Sequence, residues 1–335
     1  MTGPGHHMRS EIAEAPGVFT RAIRNAVSND AKTALAAQNP RAIYTVARGS
    51  SDAAANILSY EFMRVLRMPM TSLPPSVFSL GQGVSMQNTL ALVVSQSGAS
   101  DDLVRSAAGI RANGGFVVAL VNQPLSPVAA KAHLTLPIGA GPELAVPATK
   151  SVIGSVAAGM ALLSALAPTY APQADAAATC FANLNTTHRQ ADTILASLLR
   201  ADHVYVIGRD TGYGAAQELA LKIKETCAIH AEAYSSSEVL HGPLQLATKP
   251  LLILILDTGQ PDIQTSLDTA EARFRAANGT VHRLRASDVG VPVLTPAAAA
   301  AMLLTLTYPI VLSAALALGH DPDRPETLSK VTQTL

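Results

Sequence analysis

Six short apolar runs punctuate the chain: Ile43–Val46, Leu90–Val94, Phe116–Val121, Val204–Ile207, Leu251–Leu256 and Val281–Leu284. Most are continuous rather than alternating with polar residues, the pattern of strands covered on both faces. Stretches of helical character separate them. Strand and helix in alternation predict βαβ units around a parallel sheet, and so an α/β fold.

The pattern is written twice. At an offset of 161 residues, AIYTVARGSSDAAANIL (Ala42–Leu58) matches HVYVIGRDTGYGAAQEL (His203–Leu219): Tyr44 meets Tyr205, and Arg48 meets Arg209. The same offset pairs Val94–Gly98 with Ile255–Gly259 and Asp101 with Asp262. With a short insertion, Ala112-Asn113-Gly114 resembles Ala277-Asn278-Gly279. Three matches in one order indicate a duplication. The Ala/Pro-rich stretch Ala167–Ala178 is the expected linker, with a long helix after it opening the second half. A further run without charge, Ala297–Leu318, is long enough to span a bilayer. It opens with five alanines, carries Thr305 and Thr307 and is interrupted by Pro309, which predicts a pair of buried helices instead.

Composition narrows the picture. A length of 335 residues fits about two domains, and 48% hydrophobic residues suffice for a large core. Lys+Arg and Asp+Glu are both 24, so nothing basic points to nucleic acid or to an anionic membrane. The low charge also suggests burial by oligomerisation. Cys180 and Cys227 form neither a disulfide framework nor a zinc site, and fit a reducing cytoplasm. The first seven residues have no apolar core and do not read as a signal peptide. The histidines lack ligand spacing, so no metal or other cofactor is implied.

Ligands of open α/β sheets sit at the carboxyl ends of strands. The loop Ser95-Gln96-Ser97-Gly98-Ala99-Ser100-Asp101-Asp102 follows one such end. Its hydroxyls and backbone N–H groups form an anion cradle, or alternatively a capped helix start with Ser100 or Asp101 as cap. Arg48-Gly49-Ser50-Ser51-Asp52 adds hydroxyls from a neighbouring strand end, and the convergence favours phosphate. The counterpart Asp257-Thr258-Gly259-Gln260-Pro261-Asp262 carries carboxylates that would repel an anion, which predicts a single working phosphate site, in the first half. The densest polar stretch is Glu218–Pro243. Glu218, Lys222 and Glu225 share one helix face, as a solvated salt-bridge ladder or as a proton-transfer group, with His230, Glu232, Tyr234, Glu238 and His241 following.

At these residues the chain resembles the sugar-isomerase (SIS) family, and within it the isomerase half of glucosamine-6-phosphate synthase and its single-function relatives. The motifs are MRSEIAEAP (Met8–Pro16), VARGSSD, SQSGASDD, AGPELAVPATKS (Ala140–Ser151), KIKETCAIHAEAYSSSEVLHGP and DPDRPETLSKVT (Asp321–Thr332), in the family's order. The resemblance implies two tandem SIS domains, each a flavodoxin-like three-layer sandwich with a central parallel sheet. The expected division is a segment and helix over 1–25, domains over 26–170 and 171–320, and a tail over 321–335 covering the active site.

The resemblance also implies roles. Ser95, Gln96, Ser97 and Ser100 would hold the sugar phosphate, with Ser50 and Ser51 contributing. Val146, Ala148 and Glu218 would line the substrate site. Glu225 would move the proton between C1 and C2 and Lys222 would assist. His241 would open the ring in the neighbouring subunit's site, making a homodimer the working form. Lys330 matches the Schiff-base lysine of the synthase. Departures are Arg48 for a cysteine, Ala99 for a glutamate and Ala148 for a serine, which imply altered sugar recognition. No glutaminase domain precedes Met8, which implies a deaminase releasing ammonia and fructose 6-phosphate from glucosamine 6-phosphate. Other enzymes of the family are the alternatives: a galactosamine-6-phosphate deaminase or isomerase, a fructosamine-6-phosphate deglycase, or a stand-alone isomerase half. A sugar-phosphate-sensing module without turnover is a third reading.

Overall fold

A computed structural model describes residues 3–292 and 294–330. Residues 331–335, the last part of the expected tail, lie outside the described residues. The chain divides into two compact units. One comprises Ala15–Glu143 and Lys150–Ala182. The other comprises residues 3–14, Leu144–Thr149 and Asn183–Lys330. The first helix, α1 (His6–Asn25), passes from one unit into the other.

The first unit holds β1 (Ala42–Val46), β2 (Met70–Ser72), β3 (Thr89–Ser95), β4 (Phe116–Val121) and β5 (Leu134–Pro137). They form one parallel sheet in the order β2-β1-β3-β4-β5. Its helices are α2 (Asn29–Ala36), α3 (Gly49–Leu66), α4 (Ser76–Ser79), α5 (Asp101–Ala112), α6 (Pro127–Lys131), α7 (Lys150–Leu166) and α8 (Ala171–Ala182). The central strands are apolar along their length because helices cover both faces: Leu90 through Val94 and Val117 through Val121 are fully buried. Order reverses between β1 and β3, so the loops after these two strands flank the topological switch point, where such sheets bind ligands.

The second unit repeats the plan with β6 (His203–Gly208), β7 (His230–Ser235), β8 (Leu252–Asp257) and β9 (Thr280–Arg285), parallel in the order β7-β6-β8-β9. Its helices are α9 (Ala191–Leu198), α10 (Thr211–Cys227), α11 (Gln264–Ala276) and α12 (Pro296–Ala317). Both sheets bear out the α/β reading and its duplication.

Three expectations are corrected. The stretch Ala167–Ala178 is not a linker but the start of a packed helix, and the unit boundary falls after Ala182 rather than after residue 170. Ala174, Ala177, Ala178 and Phe181 make a buried stripe at helical spacing. Phe181 stacks on Phe19 with ring centroids 3.7 Å apart, and Thr20 donates to the Ala178 carbonyl at 3.1 Å. The long helix expected next is the short α9.

The apolar segment after Leu294 forms a single helix, α12, despite Pro309. A proline inside a helix costs about 3 kcal/mol. Burying each of Leu303, Leu304, Leu306, Tyr308 and Ile310 contributes roughly 1.5–3 kcal/mol, so continuity wins. By length and apolarity α12 would cross a membrane, but 83% of its apolar window is buried inside the protein.

The polar stretch from His230 has a structure that the apolar runs do not announce. It forms the edge strand β7, in which His230, Glu232 and Tyr234 alternate with small residues.

Candidate active site

In the first unit the loops after β1 and β3 are locked together by a charge pair. Arg48 Nε donates to Asp102 Oδ2 at 2.9 Å, and the Asp102 side chain is fully buried. The arginine standing in place of the family's cysteine thus ties the two loops. The loop after β3 turns at Gly98, whose φ of 62° favours glycine, and a Cβ there would collide with the Ser126 side chain. Ser95 Oγ accepts the Gly98 N–H at 3.0 Å and Ser97 Oγ accepts that of Ala99 at 3.3 Å. Ser95 is buried, while Gln96, Ser97 and Ser100 are half-buried. Ser100 precedes α5 without a side-chain cap, and Arg48 precedes α3 without one. Ser50 and Ser51 stand in the first turn of α3. Two helix starts therefore offer hydroxyls and uncapped N–H groups on neighbouring strand ends, a neutral cradle suited to an anion. Burial pushes the carboxyl of Asp52, one turn into α3, above the usual range.

The second unit carries the titratable cluster. Asp210 caps α10, its side chain accepting the Thr211 N–H at 2.7 Å. Glu218 and Lys222 are fully buried on this helix, and only 23% of the Glu225 side chain is exposed. Lys222 Nζ contacts the Glu225 carboxylate directly and lies 3.8 Å from Glu218 Oε1. Tyr308 of α12 donates to Glu218 Oε1 at 3.1 Å. This is not a solvated ladder: an ammonium is held between two carboxylates inside the protein. At the end of the same helix, burial pushes the Cys227 thiol up to about 11, leaving it inert.

Val146, Ala148 and Lys330 are brought together within this unit. Lys330 Nζ donates to the Ala145 carbonyl at 2.6 Å. Buried Glu11 accepts the backbone N–H groups of Leu144 and Ala145 through one oxygen. Asp323 receives the N–H groups of His7 and Met8 at 2.9 and 2.8 Å, and its own carbonyl accepts the Val146 N–H at 3.1 Å. Sequence reasoning missed Glu11 and Asp323 as positioning groups, although both lie inside motifs that it singled out. His241 stands exposed after the short turn Glu238–Leu240, with no side-chain hydrogen bond among the described residues. Among the described residues of its unit, no hydrogen bond or ion pair ties it to Glu225.

The loop after β8 differs from its expected character. Asp257 is fully buried and bound by Arg283 and Arg285, so it does not face solvent as a repelling charge.

The chain resembles several known proteins over nearly its full length. It is 31% identical to a glutamine–fructose-6-phosphate aminotransferase (isomerizing) of Symbiobacterium thermophilum over 98% of this chain and 59% of the relative. With the enzyme of the same name from Zymomonas mobilis it shares 28% identity, over 97% and 58%. The chain therefore spans less than two thirds of these relatives. A provisionally named phosphosugar isomerase from Silicibacter pomeroyi superposes with a TM-score of 0.82 at 30% identity, covering 94% of this chain and 99% of that one. The fold is also that of a Thermotoga maritima glucosamine-6-phosphate deaminase, with a TM-score of 0.78 at 20% identity over 98% of this chain and all of that one. The SIS domain profile matches residues 37–165 and 197–281, one segment on each parallel sheet. The chain belongs to the SIS domain family.

Proposed function

We propose that this chain isomerises a phosphorylated amino sugar and hydrolyses the resulting imine, converting glucosamine 6-phosphate and water to fructose 6-phosphate and ammonia. The observation that carries the reading is the buried Glu218–Lys222–Glu225 cluster on α10. Ser95, Gln96, Ser97 and Ser100, with Ser50 and Ser51, hold the phosphate. His241, supplied by the neighbouring subunit of a homodimer, opens the sugar ring. Glu225 takes the proton from C2 and returns it to C1, while Lys222 holds the carboxylate and stabilises the oxygen of the enolamine. The C2 imine then adds water and expels ammonia. Val146 and Ala148 line the sugar, Glu218 anchors Lys222, and Lys330 assists imine exchange beside them.

The names borne by the relatives support a phosphosugar substrate.

The test is release of ammonia and fructose 6-phosphate from glucosamine 6-phosphate, with galactosamine 6-phosphate and a fructosamine 6-phosphate alongside. Stoichiometric release of both products from the gluco substrate is expected. Activity on either comparison substrate alone transfers the assignment to it, and inactivity on all three refutes turnover. A second experiment addresses the shared site. Mixing His241→Ala chains with Glu225→Gln chains should restore about a quarter of wild-type activity when subunits exchange freely, because one hybrid site regains both groups.

A further inference from the structure

The carboxyl edge of the second sheet holds a cavity of about 210 Å³ that the proposed reaction does not use. Thr258, Gly259 and Gln264 line one side, and Arg285, Ser287 and Pro292 the other. Two features of its lining call for a ligand. Thr258 is 3% exposed, and its buried Oγ1 has no hydrogen-bond partner. A hydroxyl taken out of water without a partner is destabilising unless something else supplies one. Arg285 is engaged only through Nε, which donates to Asp257 Oδ2 at 2.8 Å, so both its Nη groups remain without a partner among the described residues. Its side chain is 44% exposed.

The neighbouring carboxylate does not oppose an anion as its sequence position suggests. Asp257 Oδ1 accepts from the Gly259 N–H and from Gln264 Nε2, at 2.8 and 2.9 Å. Its Oδ2 accepts from Arg283 and Arg285, at 2.9 and 2.8 Å. Four donors saturate the carboxylate, and two arginines face its single charge. Arg283 is shared further with Asp268 and Glu271, neither of which lines the cavity. Arg285 is therefore the cation with donors to spare, and a guanidinium presents them in a fork that fits an oxyanion. The backbone is prepared in the same way as in the first unit. Gly259 has a φ of 80°, matching Gly98 at 62°, and each glycine N–H is held by a side-chain oxygen at its strand end. The residue before each glycine is a hydroxyl, Thr258 or Ser97.

We propose that this cavity is a second oxyanion site, taking the phosphate group of a small phosphorylated molecule against Thr258 Oγ1, the Arg285 guanidinium and the Ser287 hydroxyl. The site stands on these groups and does not depend on the role proposed for the first loop.

Equilibrium dialysis of the intact chain with radiolabelled inorganic phosphate tests it, using Thr258→Val, Arg285→Gln and Ser97→Ala. Wild type should bind two phosphates per chain. Thr258→Val and Arg285→Gln should each weaken one of them at least tenfold, while Ser97→Ala weakens the other. Thr258→Val keeps the shape of the side chain, so it decides the matter where Arg285→Gln melts early. A single phosphate that survives Thr258→Val and is lost in Ser97→Ala overturns this proposal and leaves the first site standing. A single phosphate lost only in Thr258→Val upholds it and removes the first. No bound phosphate overturns both.

Discussion

The loops after β3 and β8 descend from one pattern and settle their charge in opposite ways. After β3 Ser95, Gln96, Ser97 and Ser100 offer hydroxyls, an amide and backbone donors, and the nearby carboxylates are each matched by an arginine, Asp102 by Arg48 and Asp101 by Arg105. After β8 the chain supplies its own anion, Asp257, and its own cations, Arg283 and Arg285. The first arrangement leaves its donors for a ligand, and the second spends most of its donors on holding β8 and β9 together. Duplication followed by such divergence adds a framework role to the second loop that the first does not carry. The comparison also extends to the units. The first unit gathers the hydroxyl cradle, whereas the second gathers Glu218, Lys222, Glu225, Lys330 and the segment around Val146 and Ala148.

The sharpest way to break this division is Glu225→Gln. Turnover should fall about 10²–10⁴-fold, the usual contribution of a positioned proton-transfer group, while binding of the phosphosugar measured by calorimetry stays within about twofold. Retained activity removes Glu225 as the base. Next in size is Asp257→Asn. Removing one partner of a buried ion pair should cost about 3–5 kcal/mol in denaturant unfolding, because Arg283 is left buried with its charge poorly matched. A change below 1 kcal/mol would show that the second loop is no framework. Ser97→Ala should raise KM for the phosphosugar about tenfold or more with kcat little changed, as expected for one hydrogen bond to a charged group. An unchanged KM denies the cradle its phosphate.

The smallest effect is on pH dependence. Burial holds His188 and His282 below the ordinary value of 6.5. Their contribution to stability is complete above pH 6.5 and is lost as pH falls through their folded values. Asp257 and Glu271, held low by arginines despite burial, add a separate loss that begins only as pH falls through their ordinary values of 3.8 and 4.5. A melting temperature that declines in two stages on acidification checks both. A flat profile from pH 7 to pH 5 contradicts the histidine part.

The sequence was a good guide where burial is symmetrical and a poor one where it is not. Apolar runs such as Leu90–Val94 and Leu251–Leu256 announce central strands because both faces are covered. The strands β2, β5 and β7 escaped notice. β2 has three residues, and β7 lies at an edge where His230, Glu232 and Tyr234 leave only a weak alternation. The hydroxyl loops were legible from composition and from their place after strands. The character of the Glu218–Lys222–Glu225 face was not, since the same spacing describes a solvated ladder, and only the packing of α10 against α12 reveals its burial. Asp257 was misjudged for a related reason: its two arginine partners come from β9, some 26 to 28 residues away.

The fastening of the segment Leu144–Thr149 has a consequence for biosynthesis. Its ties run to Glu11, 133 residues upstream, and to Lys330, 185 residues downstream, while Asp323 reaches back 315 residues to Met8. A chain emerging from the ribosome can complete the first sheet early, since all its strands precede residue 138. The segment bearing Val146 and Ala148 cannot take its final set of partners until Asp323 and Lys330 have left the exit tunnel. Folding of the cradle and fastening of this segment are therefore separated in time by the translation of nearly two hundred residues, at about 5–20 residues per second in a cell.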